Sequence, residues 1–190
     1  MIAPSELIIN PDGSCFHLHL KPEQLADKII MVGDPDRVNT VASYFDTKEC
    51  EVSSREFHTI TGTYKGKRIT TLSHGIGTDN IDIVLNELDA LANIDFASRT
   101  IKPEFRQLTM VRVGTSGGLQ PFVPVGTYVA AGKSIGFDGV LYFYAGSEEV
   151  RDKAFESELI RQLEWKLNGI KPYVVSADPS LVEQVQAGIQ

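Results

Sequence analysis

Apolar positions along this chain fall into short blocks that switch between two periods. Ile29, Ile30, Met31 and Val32 form an unbroken apolar run that ends at Gly33, as in a strand buried on both faces. Asp34 and Pro35 then open a pattern in which Val38, Val41, Ala42 and Phe45 recur at helical spacing. Asp34 suits an N-cap, and Pro35 suits the first helical position, where a missing N–H costs nothing. The stretch therefore reads as buried strand, tight turn and helix.

Residues 1–13 carry Pro4, Pro11 and Gly13 and predict an extended arm. The alternation across 16–20 predicts a half-buried strand, and 21–27 a short helical turn. Strands follow at 50–54, 57–64 and 67–72, with Lys65-Gly66 as the hairpin turn between the last two. Ile81, Val84, Leu85, Leu88 and Leu91 share one helix face, and Thr78 or Asp79 can cap that helix. Further strands are predicted at 108–113, 125–131, 140–144 and 173–176. An amphipathic helix is predicted over 155–167, stopped by Asn168-Gly169, and Asp178-Pro179 opens a last helix that continues to Gln190. Alternating strands and helices imply a single α/β domain across 1–190, with ligands at the carboxyl ends of the strands. The closely spaced strands between 50 and 72 call for a mixed central sheet flanked by helices.

With 42% apolar and 23% charged residues among 190, the composition is that of an ordinary globular protein. A formal net charge of −7 argues against nucleic acid as the main partner, so any anion site must be local. No apolar run reaches membrane-spanning length, and the first residues lack a signal-peptide pattern; a soluble, cytoplasmic protein without a membrane partner is expected. Cys15 and Cys50 are expected to be reduced. His17 and His19 would share a strand face, but no nearby cysteine or carboxylate completes a ligand set, so no metal is expected.

Three familiar motifs fail, two on spacing and one on its surroundings. Gly132-Lys133-Ser134 resembles the end of a P-loop, but Thr127 stands where its first glycine belongs. Gly75-Ile76-Gly77 starts a dinucleotide fingerprint that Asn80 does not complete. Gly114-Thr115-Ser116-Gly117-Gly118 resembles a nucleophile elbow, yet Pro121 and Pro124 break the required helix and no histidine follows His74.

Two arginines survive this filter. Arg37 lies in the first turn of a helix, where a cation is disfavoured unless an anion joins it. Either Asp34 or Asp36 pairs with it, or the free N–H groups of that turn, Gly33 and Arg37 together hold a phosphate or carboxylate. Arg112 interrupts an apolar strand before a turn with three glycines, and a buried guanidinium there needs a structural carboxylate or an anionic ligand. Thr115 can add a hydroxyl donor. Arg55 on its own reads as a solvated strand charge.

Taken in order, Gly33-Asp34-Pro35-Asp36-Arg37, Arg55-Glu56-Phe57, Gly75-Ile76-Gly77 and Arg112-Val113-Gly114-Thr115-Ser116-Gly117-Gly118 resemble the nucleoside phosphorylase family, most closely its uridine phosphorylase branch. The resemblance runs from about Phe16 to about Ser176. It implies a three-layer α/β/α fold and phosphorolysis of uridine to uracil and ribose 1-phosphate, with inorganic phosphate as co-substrate and no cofactor or metal. It places Gly33, Arg37, Arg112 and Thr115 on the phosphate, Arg112 and Thr115 also acting in catalysis. Ile76 would lie beside the sugar, and Ser116 and Gly117 toward the base. Arg55 would reach the phosphate, and His17 the ribose 5′-hydroxyl, from the neighbouring subunit of a dimer or of a hexamer of dimers. The resemblance also implies a longer chain, whose Met-Glu pair for the ribose hydroxyls and base-reading side chains have no counterpart after Tyr173. A fragment, or a natural short form that binds without turnover, is therefore expected. The acidic Thr78-Asp79-Asn80 leaves the branch open, so a purine nucleoside phosphorylase, a nucleosidase and a non-catalytic phosphate- or nucleoside-binding protein stand as alternatives.

Overall fold

In a computed structural model, which describes residues 1–167 and 169–189, the elements are β1 (Lys28–Val32), α1 (Pro35–Ala42), β2 (Thr47–Ser54), β3 (Phe57–Tyr64), β4 (Lys67–Ser73), α2 (Thr78–Asn93), β5 (Ile94–Asp95), β6 (Thr100–Ile101), β7 (Thr109–Arg112), β8 (Lys133–Gly136), α3 (Lys153–Gln162), β9 (Tyr173–Ser176) and α4 (Pro179–Ile189). They fall into two compact units, Met1–Ser116 and a second from Gly117 onward.

In the first unit the strand order is β2-β3-β4-β1-β7. β1 runs parallel to β4 and to β7, while β2, β3 and β4 form an antiparallel meander, so the sheet is mixed as expected. Side chains alternate across it. Ile29 and Met31 pack with Phe57, Leu72 and the Val84, Leu88 and Leu91 stripe of α2, whereas Val32 and Ile60 pack with Val38 and Ala42 of α1. One helix thus covers each face. The hairpin turn is at Lys65-Gly66, whose φ values of 48° and 73° are those of a type I′ turn.

The amino-terminal segment departs from the sequence reading. The arm is tied down: the Ile2 N–H donates to the Arg99 carbonyl, and Ile9 bridges Cys15. Residues 16–18 form a turn, not a strand. Glu87 of α2 is the reason. Its buried carboxylate accepts hydrogen bonds from the backbone N–H groups of His17 and Leu18 and from His17 Nδ1, donors that a strand would have spent on a neighbour. The alternation at 16–20 instead serves to bury Leu18 and Leu20. Cys15 is buried and free, and burial beside Glu87 pushes its thiol pKa up, which leaves it unreactive.

The second unit holds the β8–β9 antiparallel pair, α3 and α4. No strand forms at 125–131, because Pro124 starts a turn closed by the Thr127 N–H and Gly126 adopts φ of 92°. Val140–Phe143 is a 3-10 helix instead of a strand, entered through Gly139 at φ of 82°. The strand that pairs with β9 is β8. α3 ends at Gln162, short of the predicted 167, where the chain turns through Glu164 at φ of 46°; of the predicted stop signals, Asn168 lies outside the described residues. Asp178 caps α4 as expected, accepting from the Ser180 and Leu181 N–H groups.

Glu156 of α3 ties this unit together. Buried, it accepts from Arg151 Nε and Nη2 and from the Val174 N–H of β9, and the Arg151 donors hold its pKa below the usual carboxylate range. A depressed folded-state pKa adds stability above the unfolded value that is lost as pH falls through the folded one. Glu156→Gln is expected to cost about 1.5–3 kcal/mol by removing the buried charge partner of Arg151, which keeps only the exposed Glu148. It should also flatten the acid limb of urea-unfolding stability below about pH 4.5, and an unchanged acid limb would remove Glu156 from that role.

Candidate anion-binding cleft

Register places the site. Within the parallel triplet Val32 pairs with Ser73 and Met31 with Arg112, so three strands end at one level. The next residues stay in step, the His74 N–H donating to Val32 O at 2.9 Å and the Val113 N–H to Met31 O at 2.8 Å. Beyond them the three glycine-bearing turns open a cleft of about 880 Å³. Gly33, Arg37, Ile76, Arg112 and Thr115 line it, as do Asp34, Glu56, His74, Gly75 and Asn80.

The first turn of α1 does not offer the free donors that the sequence suggested. Asp34 Oδ1 accepts from the Asp36 N–H at 2.9 Å, Asp34 O accepts from the Arg37 N–H, and Pro35 has none. With Asp34 engaged as the cap, Arg37 makes no ion pair with either neighbouring aspartate among the described residues. Its charge faces the cleft at the positive end of the helix, where an added anion is favoured.

Arg112 is exposed, not buried, because β7 is an edge strand of the sheet. Burial therefore does not force a partner on it, and among the described residues it makes no carboxylate ion pair. Its Nε donates to His74 Nε2 at 2.9 Å, and the guanidinium folds back over Gly114, where a Cβ would lie 2.6 Å from Nη1. A side chain at Gly114 would displace the Arg112 guanidinium from this position.

Three contributors to the cleft carried no assignment in the sequence reading. His74 is buried, and burial first, then the Arg112 charge, holds its pKa below the ordinary histidine value; the imidazole is neutral at pH 7. Asn80 Nδ2 donates to Glu56 Oε1 at 2.8 Å, and hydrogen bonds from the Glu56 backbone and from Asn80 keep that carboxyl pKa low. The signal for His74 was its place between a strand and a glycine turn; for Glu56 and Asn80, far apart in sequence, no local pattern existed.

His17 and Arg55 are not among the residues lining the cleft. They sit together, with the Arg55 guanidinium 5.8 Å from the Phe16 ring centroid and Phe16 edge-on to His17. Arg55 turns the β2–β3 hairpin at φ of 56°. Ser116 ends the first unit and Gly117 begins the second. No group of three or more His, Cys, Asp or Glu among the described residues is placed to hold a metal ion, and no helix there is long and apolar enough to cross a membrane.

Residues 27–190 match the model of the phosphorylase superfamily. The uridine phosphorylase of Haemophilus influenzae is 32% identical over 168 residues, covering 86% of this chain and 61% of that protein. A DeoD-type purine nucleoside phosphorylase of Levilactobacillus brevis is 37% identical over 116 residues, covering 60% of this chain and 44% of that one. A solved structure of a Trypanosoma brucei nucleoside phosphorylase, described as showing uridine phosphorylase activity, superposes with a TM-score of 0.78 at 34% identity, over 95% of this chain and 61% of that one. The chain therefore belongs to the phosphorylase superfamily, and it spans 44–61% of the length of these relatives.

Gly75 joins β4 to α2 at φ of 67°, and a Cβ there would lie 2.8 Å from both Asn80 Nδ2 and Glu56 Cγ. Gly75→Ala is expected to lower stability by about 1–2 kcal/mol through the left-handed backbone and this clash. Urea titration checks it; an unaltered midpoint would mean that the turn accommodates a side chain.

Proposed function

We propose that this member of the phosphorylase superfamily acts as a uridine phosphorylase and that the cleft is its phosphate site. One observation carries the reading: Arg37 and Arg112, from different turns, line one cleft beside Thr115, and neither is ion-paired to a carboxylate among the described residues. Uncompensated guanidinium groups at the carboxyl ends of parallel strands suit a tetrahedral anion with several oxygens. The uridine and nucleoside phosphorylases among the relatives supply the reaction class.

In this reading Arg37, Arg112 and Thr115 orient inorganic phosphate toward the anomeric carbon, while Gly33 keeps the approach open. As the bond to uracil breaks, the sugar gains cationic character, and the fixed anion beside it stabilises that charge. Ile76 borders the sugar, and Ser116 and Gly117 lie toward the base. His17 and Arg55, held together outside the lining of their own cleft, serve the site of a second subunit, which makes the working unit at least a homodimer. No cofactor is used, and the enzyme works in the cytoplasm.

With uridine and inorganic phosphate, the protein is expected to release uracil and ribose 1-phosphate in equal amounts; uracil release at the same rate without phosphate would mean hydrolysis instead. Arg112→Ala should weaken phosphate binding by about 1.5–3 kcal/mol, the range for hydrogen bonds to a charged group, and calorimetric binding equal to the parent's would take Arg112 out of the site. Mixing Arg55→Ala chains with Arg112→Ala chains should restore part of the lost phosphate binding, because some mixed dimers contain one intact site; no recovery would contradict the shared site.

A further inference from the structure

We infer that His74 is a positioning residue for this site: its neutral imidazole holds Arg112 in place for a tetrahedral anion, and protonation of the ring releases the arginine. The inference rests on the reading of the cleft as a phosphate site.

The geometry fixes the roles of the atoms. An arginine Nε can only donate, so the His74 Nε2 facing it at 2.9 Å must present its lone pair. The ring proton then belongs on Nδ1, which is buried and has no hydrogen-bond partner among the described residues. His74 itself is only 2% exposed, whereas Arg112 is an exposed side chain. A fixed acceptor in the wall of the cleft thus restrains a long side chain that would otherwise sample many rotamers. With Nε tied to the imidazole and Gly114 leaving room for Nη1, the terminal nitrogens keep their donors for a ligand.

Protonation reverses the contact. Nε2 would then carry a proton that points at another donor, and two cations would meet at hydrogen-bond distance. Arg112 of β7 is the charged group that faces the ring directly. The other charged side chains lining the cleft are Asp34 and Arg37 from the start of α1 and Glu56 from the β2–β3 turn; none forms an ion pair with His74 among the described residues. No carboxylate there pairs with an imidazolium; backbone groups of Gly75 and His74 favour the protonated ring, but burial and the Arg112 charge outweigh them and hold the His74 pKa below the ordinary histidine value. Phosphate affinity should therefore fall in acid for a reason separate from the titration of phosphate itself.

Sulfate, a tetrahedral dianion that does not titrate near neutrality, isolates the effect. Its affinity for the full chain, measured by calorimetry, is expected to drop about tenfold from about pH 7.5 to about pH 5. In His74→Gln the side-chain oxygen can accept from Arg112 without titrating, so binding at neutral pH should be largely rescued and the acid drop should disappear. His74→Leu, with no acceptor, should bind sulfate about tenfold more weakly at neutral pH, the effect of one lost hydrogen bond. Parallel pH profiles for the parent and His74→Gln would overturn the inference, as would His74→Leu binding sulfate as tightly as the parent. If His74→Leu does not fold, the profile of His74→Gln decides alone. Arg112→Ala separates the two readings. Loss of sulfate binding in Arg112→Ala with no effect of the His74 variants would overturn only the positioning role. Binding as strong as the parent's in Arg112→Ala, or no binding by the parent, would overturn the phosphate site itself.

Discussion

Parallel pairing of β1 with β4 on one side and β7 on the other is the constraint on which the cleft depends. Parallel strands point their carboxyl ends the same way, and here the register ends all three within about one residue. Residues distant in sequence, Gly33, Arg37, His74 and Arg112, therefore converge without long loops. Both packed faces serve this alignment, since the α1 and α2 cores fix β1 from either side.

Within that frame, three carboxylates are taken up by structural tasks. Asp34 caps α1, Glu56 is held by Asn80, and Glu87 gathers the N–H groups of the amino-terminal turn. Arg37 and Arg112 are left without an acidic partner among the described residues, which gives an acidic protein of net charge −7 one local site for an anion. Neutral His74 extends this economy: it steadies Arg112 without cancelling its charge.

Much of this was legible in the sequence wherever one local rule acted alone. The run at 29–32, the Asp34-Pro35 cap and the Lys65-Gly66 turn formed as their patterns demanded, and of the α2 stripe Val84, Leu88 and Leu91 are buried while Leu85 is exposed. Readings failed where a distant residue or a local turn overrode the apolar pattern. Glu87 turned the alternation at 16–20 into a loop, and the Pro124 turn with Gly126 at positive φ broke the run at 125–131. At α2 the cap is Gly77, without a side-chain hydrogen bond, and not Thr78 or Asp79. In the site, the ordered motifs pointed to Gly33, Arg37, Ile76, Arg112 and Thr115, which do line one cleft. His74 went unassigned because its meaning comes from Arg112, 38 positions away, and the exposure of Arg112 was hidden because an edge strand and a central strand carry similar apolar patterns.

The most direct test of the account is a crystal structure of the protein grown or soaked with inorganic phosphate. The account predicts a phosphate ion bound by the Arg37 and Arg112 guanidinium groups and the Thr115 hydroxyl, with Arg112 Nε still donating to His74. Phosphate bound elsewhere, or a cleft empty at saturating phosphate, would contradict it.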